Sequence, residues 1–158
     1  MRVGIGFDVH AFDPSRTLIL GGVTIEGAPG LAGWSDADVV SHAIIDALLG
    51  AAGLGDLGTH FPEEKVAEGS SSLEMLAESK RLLVEAGLEI DNIDATVIVQ
   101  QVRMAPHCRE MRNRLAGVLG VSPGLVNVKA TTTDGLGFAG REEGIAAMAV
   151  ASVRPTSS

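Results

Sequence analysis

One cysteine, no tyrosine and an aromatic content of 3% mark this 158-residue chain by what it lacks. Cys108, being alone, excludes an intrachain disulfide and a CxxC metal site. With so few aromatics, the core has to be built from Ala, Val, Leu and Ile. Apolar residues make up 46% of the chain, which suffices for one domain of this length. Cations are also scarce: 12 Lys and Arg stand against 20 Asp and Glu, a net charge of −8. That argues against a nucleic-acid partner, which favours a basic face. It leaves an anionic small molecule open, because metals and local backbone donors hold phosphate despite an acidic surface. No apolar run is long enough to cross a membrane. Met1-Arg2-Val3 leads straight into an apparent strand with no signal-peptide pattern, so a cytoplasmic protein is expected.

What the chain does have is glycine, 20 residues of it, punctuating clear periodic segments. Val3 to Phe12 reads as a strand, Asp13-Pro14-Ser15-Arg16 as a turn, and Thr17 to Ile25 as the returning strand of a hairpin. Gly27 to Gly33 reads as loop. Ser35 or Asp36 can cap a helix from about Asp38 to Ala52, whose apolar positions keep a helical period. Ser71 and Glu74 are spaced as a capping box for a second helix ending near Gly87. Ala95 to Val102 and Val126 to Thr132 read as strands, with a helix between them opened by Pro106 and closed near Gly120. Gly144 to Val153 is expected as the last strand. This order predicts an α+β fold: a mixed sheet with helices packed on one face. A single catalytic domain is expected over residues 1–154, with a disordered tail at 155–158.

Four segments can carry chemistry. Asp8 and His10 are two apart, so on a strand they share a face. With His42 from the first helix they make a three-ligand set with an open position, the usual form of a catalytic zinc site. Asp38 and Asp46 lie one turn either side of His42, and either can orient its ring. Gly55 to Pro62 is glycine-rich, and Asp56 there either accepts from sugar hydroxyls or bonds its own backbone. Lys129-Ala130-Thr131-Thr132-Thr133-Asp134 runs from a strand into a glycine-rich loop able to cradle phosphate, and Asp134 can hold a hard cation. It lacks the G-K-[ST] signature of a P-loop. The arginine-bearing segment from Arg103 to Arg114, with His107, reads as solvated helix surface.

Taken together, Gly-Phe-Asp8-Val-His10, Ser35-Asp-Ala-Asp through His42 to Asp46, Leu-Gly-Asp56-Leu-Gly, and Asn127 through Thr132, Asp134, Phe138 and Arg141 resemble the 2-C-methyl-D-erythritol 2,4-cyclodiphosphate synthase family. The likeness runs from residue 2 to about 153. It implies a C3 homotrimer with active sites between adjacent subunits. It implies zinc on Asp8, His10 and His42, and Mg²⁺ or Mn²⁺ near Asp134. It implies a phosphorus–oxygen lyase that closes 4-diphosphocytidyl-2-C-methyl-D-erythritol 2-phosphate into the cyclic diphosphate and expels CMP. Thr132, Trp34 and Asp134 would carry the catalytic contacts. Asp8, Val9, His10, Trp34 and Ser35 would line the substrate site beside the metal. Asp56, Leu57 and Gly58, with Phe61, Pro62, Glu63, Glu64 and Lys65, would lie along the erythritol. Val99, Gln100, Gln101, Val102, Arg103, Met104 and Ala105, with Thr131, Thr132, Thr133 and Asp134, would form the cytidine and phosphate pocket. Phe138 and Arg141 would face the substrate or the trimer's central channel.

The chain departs from the family's pattern at Trp34, where a His is usual, and has Asp134 and Arg103 where Glu and Lys are common. Glu63 replaces a common Asp. None of these removes a metal ligand. The indole of Trp34 is expected to donate one neutral hydrogen bond to phosphate and to cover the metal. A zinc-dependent phosphohydrolase and a non-catalytic trimer binding isoprenoid diphosphates are the competing expectations.

Overall fold

The computed structural model describes residues 1–156. Five strands form one sheet in the order β2-β1-β5-β3-β4: β1 (Arg2–Leu20), β2 (Val23–Leu31), β3 (Leu88–Ile98), β4 (Val126–Thr131) and β5 (Gly144–Pro155). Only β3 and β4 run parallel; the other neighbours are antiparallel. Three longer helices, α1 (Val39–Ala52), α3 (Ser72–Glu85) and α4 (Cys108–Leu119), join two single-turn helices, α2 (Leu57–His60) and α5 (Gly137–Gly140). The mixed sheet with its helices is the α+β fold the sequence predicts. Among the described residues no single helix is long and apolar enough to cross a membrane.

Helix α1 is the centre of the core. Twelve of its 14 residues are buried, so its apolar surface runs nearly all round, as in helices enclosed on every side. It lies against β1 and β5 on one flank and α3 on another. The contact with β1 is close because Gly4 and Gly6 have no side chains. A Cβ at Gly6 would sit 1.9 Å from the Ala43 carbonyl oxygen, and one at Gly4 would sit 2.1 Å from that of Ala47. These glycines let the helix backbone rest on the strand just before Asp8. That approach brings the next turn of α1, with His42, over Asp8 and His10.

Several boundaries differ from the sequence expectation. The hairpin turn falls at Gly21-Gly22, not at Asp13 to Arg16, and β1 is one strand of 19 residues. Asp13 still makes its turn bonds, accepting from the Ser15 N–H and hydroxyl, but they are absorbed as an irregularity in the β1–β2 pairing between Asp13 and Thr17. The expected loop at Gly27 to Gly33 is largely the end of β2. Strand β3 begins at Leu88, earlier than expected, and stops at Ile98. The cap of α1 is Asp38 rather than Ser35 or Asp36. Ser71 makes no side-chain cap, so the capping box with Glu74 does not form. Pro155 closes β5 and the Thr156 N–H donates to the Gly87 carbonyl, so the expected tail does not start at Pro155; Ser157 and Ser158 lie outside the described residues.

The face of the sheet away from α1 is unusually apolar. Val3, Ile5, Phe7 and Val9 of β1 and Met148 and Val150 of β5 are all exposed there, paired Ile5 to Val150 and Phe7 to Met148. Toward β4 the same face becomes polar, where Asn127 and Lys129 bond Asp94.

Candidate metal centre and substrate clefts

Asp8, His10 and His42 converge. One ligand atom from each lies within 4.8 Å of the others. The Asp8 Oδ2 is 2.9 Å from His42 Nδ1 and 3.1 Å from His10 Nε2. The two imidazole nitrogens are 3.4 Å apart. Burial alone would push the Asp8 carboxyl up; the hydrogen bonds and charge of His10 and His42 outweigh it and hold the group well below the usual carboxylate range. Burial likewise lowers His10, but its bond to Asp8 and its backbone bond to Ala32 leave it above the ordinary value.

The far nitrogen of each ring has an acceptor. His10 Nδ1 is 2.6 Å from the Ala32 carbonyl, which can only accept. Its Nε2 lone pair therefore points at the cluster. His42 Nε2 is 2.8 Å from Ser72 Oγ and 3.2 Å from Ser35 Oγ. Two inward nitrogens, each ring oriented from behind, and a carboxylate fit a tetrahedral cation with one position open to a ligand.

The partners of His42 correct the sequence expectation. Asp38 is fully buried but faces elsewhere. It caps α1 through the Val40 and Ser41 N–H groups, takes the Ser41 hydroxyl, and accepts from Gly21 and Gly22 in the β1–β2 turn. Burial pushes its carboxyl up, opposed by those bonds. Asp46 accepts from the Leu57 N–H and so fixes α2. Ser72 was not among the expected site residues. Its place depends on a contact with Asp36 across 36 residues, which no local pattern announces.

A small pocket of about 190 Å³ surrounds Asp8, His10 and His42, lined also by Trp34, Ser35, Leu57, Phe61, Glu63, Val66 and Met75. Of the segment expected along the erythritol, Leu57, Phe61 and Glu63 line this pocket. Asp56 caps α2, one oxygen accepting from the Thr59 N–H and hydroxyl. The Arg16 guanidinium, in the irregular part of β1, donates to the carbonyls of Gly33 and Ser35 and so fixes the loop carrying Trp34.

Trp34 is placed at the pocket, but its indole N–H donates to the Val66 carbonyl at 2.8 Å. The donor expected to meet phosphate is thus engaged with the segment after Phe61. The Gly69 N–H donates back to the Trp34 carbonyl. Replacing Trp34 by Phe removes one partly exposed neutral bond, with an expected cost of about 0.5–1.5 kcal/mol. The expected result is faster amide exchange over residues 66–70 and a loss of turnover below about tenfold. Unchanged exchange in that segment would show that the indole bond does not hold it.

The second cleft, of about 650 Å³, is lined by Val99 to Ala105, Cys108 and Lys129 to Thr132. The expected cytidine segments meet there. Thr132 donates its hydroxyl to Asp134 at 3.1 Å, and the Gly135 N–H donates to Gln100 Oε1, so strand end and loop are joined. Asp134 itself has φ of 53°, a left-handed conformation that Asp tolerates better than most residues. Phe138 sits on α5, and Arg141 pairs with Glu143. Cys108 is half-buried beside the cleft, and burial pushes its thiol up, which disfavours a nucleophile.

The two clefts share no lining residue. Sheet register explains why. Thr131 pairs with Ile98, Ile98 with Ala146, and Ala146 with Val9. The candidate ligands and the threonine loop are therefore at the same end of the sheet but three strands apart, roughly 14 Å at the usual strand spacing.

Residues 1–154 match the model of the YgbB family. The chain belongs to that family. It is 53% identical over 157 residues to 2-C-methyl-D-erythritol 2,4-cyclodiphosphate synthase of Pelotomaculum thermopropionicum, covering 99% of this chain and 97% of that one. Among solved structures it is similar to the bifunctional IspDF of Campylobacter jejuni, with a TM-score of 0.95 and 39% identity over 98% of this chain and 42% of that one. The CDP complex of IspF from Plasmodium falciparum is also similar, at a TM-score of 0.86 and 30% identity, covering 99% of this chain and 97% of that one.

Proposed function

We propose that this chain converts 4-diphosphocytidyl-2-C-methyl-D-erythritol 2-phosphate into 2-C-methyl-D-erythritol 2,4-cyclodiphosphate and CMP, a step of non-mevalonate isoprenoid biosynthesis. The observation that carries the reading is the convergent triad of Asp8, His10 and His42, in a chain similar along its whole length to named synthases. An oxygen of the 2-phosphate attacks the β-phosphorus. The bond from that phosphorus to the bridging oxygen breaks, and CMP leaves with the electron pair. Both reacting groups are on one molecule, so the work is positioning and charge neutralisation.

Asp8, His10 and His42 would hold zinc, and Asp134 would hold Mg²⁺ or Mn²⁺. Bound there, such ions supply Lewis-acid neutralisation of phosphate. The chain's own groups do the rest. Phe61 and Leu57 form the apolar wall of the pocket around the candidate ligands. Asp56 keeps one carboxylate oxygen for a sugar hydroxyl while the other caps α2. The cleft of Val99 to Ala105 takes the cytidine, and the Thr132 hydroxyl turns from Asp134 toward the phosphate. The CDP in the Plasmodium falciparum complex supports a cytidine ligand for this fold.

The assembly we propose is a C3 homotrimer. Its support is twofold: the apolar sheet face of Val3, Ile5, Phe7, Val9, Met148 and Val150, and the separation of the two clefts within one chain. A neighbour's threonine loop would complete the site over each metal. The proposed compartment is the cytoplasm, since a substrate with this many phosphate charges does not cross a membrane unaided.

The test is product analysis with the purified protein and the pathway substrate. The expected result is CMP and cyclic diphosphate in equal amounts, stopped by a chelator and restored by zinc. Orthophosphate in place of CMP would show a hydrolase, and metal uptake with no product would show a binding protein.

A further inference from the structure

The contact behind His42 continues beyond Ser72. The Ser72 hydroxyl donates to Asp36 Oδ1, and the Ser72 N–H donates to Asp36 Oδ2 at 3.0 Å. Asp36 is further tied by the Asp38 N–H on its Oδ1 and by its own N–H on the Ser70 carbonyl. A carboxylate only accepts, so the Ser72 proton points at Asp36. The Ser72 oxygen then has only lone pairs to offer His42 Nε2. The Ser35 oxygen, which accepts from the Ala37 N–H, is the weaker neighbour at 3.2 Å. The Ser72 oxygen thus favours the His42 tautomer with its proton on Nε2, the form whose Nδ1 lone pair can take a cation in place of the 2.9 Å contact with Asp8.

We infer that Asp36 and Ser72 are positioning residues for the metal centre: their hydrogen-bond chain fixes the tautomer and ring orientation of His42, and thereby sets how tightly the triad holds its cation. The inference rests on the metal reading proposed above. Ser72 and its Asp36 partner are suited to the task by their location. Ser72 is fully buried at the first turn of α3, and Asp36 occupies that helix's N-terminus, where Ser71 supplies no cap. The acceptor at the end of the chain is thereby aimed at the Ser72 hydroxyl and N–H. The same pair ties the Trp34–Asp36 loop to α3, so the ligand geometry depends on two segments far apart in sequence.

The decisive variant is Ser72→Ala, which keeps the backbone N–H on Asp36 and deletes only the hydroxyl. Zinc affinity is measured on metal-stripped protein by competition with a chromophoric chelator, with the parent as control. Loss of such an outer partner typically weakens metal binding about 10–100-fold, which is the shift expected here. Asp36→Asn can donate to the Ser72 oxygen and turn the serine proton toward Nε2, so a similar loss is expected. Ser72→Thr, which retains the hydroxyl, should restore affinity to near the parent's. Long-range ¹⁵N–¹H spectra should show the Nε2–H form of His42 in the parent and a tautomer mixture in Ser72→Ala. Zinc affinity of Ser72→Ala within twofold of a zinc-binding parent would overturn the relay alone. A parent that binds no zinc would overturn the metal reading itself, whatever the variants do.

Discussion

His42→Ala is expected to leave the purified protein without zinc and to slow CMP formation by roughly 10³-fold, the several kcal/mol a metal supplies to phosphate charge in the transition state. Of the three candidate ligands, His42 is on α1 and Asp8 and His10 are both on β1. Without it the site keeps two ligands on one strand, too few for a structural or catalytic zinc centre. The fold should survive, because α1 keeps eleven other buried residues and alanine is the best helix former. The change does leave the Ser72 oxygen and Asp8 without their imidazole partner, so a modest loss of stability is expected. Metal analysis per chain and a CMP assay check the two halves separately. A full zinc content in His42→Ala would remove His42 from the ligand set, and an unchanged rate without zinc would remove the metal from the chemistry.

The parts of this site that were legible in the sequence are those governed by local periodicity. Asp8 and His10 share a face because a strand alternates, and His42 sits on a helix whose apolar period is clear from Val39 to Leu48. The parts that were not legible depend on long-range fit. Asp13-Pro14-Ser15 has real turn chemistry, yet the strand continues through it as an irregular pairing, and Arg16 uses that kink to reach Gly33 and Ser35. Strand β3 loses its alternation where the pairing with β5 shifts between Ile90 and Asn92, which hid Leu88 to Asp94. Asp38 and Asp46 lie one helical turn from His42, as spacing required, but the β1–β2 turn and α2 supply N–H groups that claim them. Ser72 took the role instead because α3 packs on α1. Helical spacing says which residues lie near one another on one helix. It says nothing of what another element brings to the same nitrogen.

Mixing two inactive variants should restore activity if the site is shared between chains. Asp8→Ala lacks a metal ligand and keeps its threonine loop; Thr132→Ala keeps the triad and lacks the loop hydroxyl. In a cyclic trimer each site would take its triad from one subunit and its threonine loop from the next. A trimer holding both variants then has one site with both defects and one with neither. Random exchange at equal amounts makes three trimers in four mixed, each with one intact site of three, so about a quarter of the parent's activity is expected. Each variant alone should stay near its own low rate. Unfolding and refolding the mixture together allows the exchange, and the CMP assay reads the result. The two clefts lie roughly 14 Å apart across the sheet of one chain, so the expectation follows from the fold as well as from the apolar face that would join the subunits. If the mixture gives only the mean of the two variants while co-purification through a different affinity tag on each variant confirms mixed trimers, each site is complete within one subunit. The cytidine cleft and the metal pocket would then have to close on each other inside a single chain.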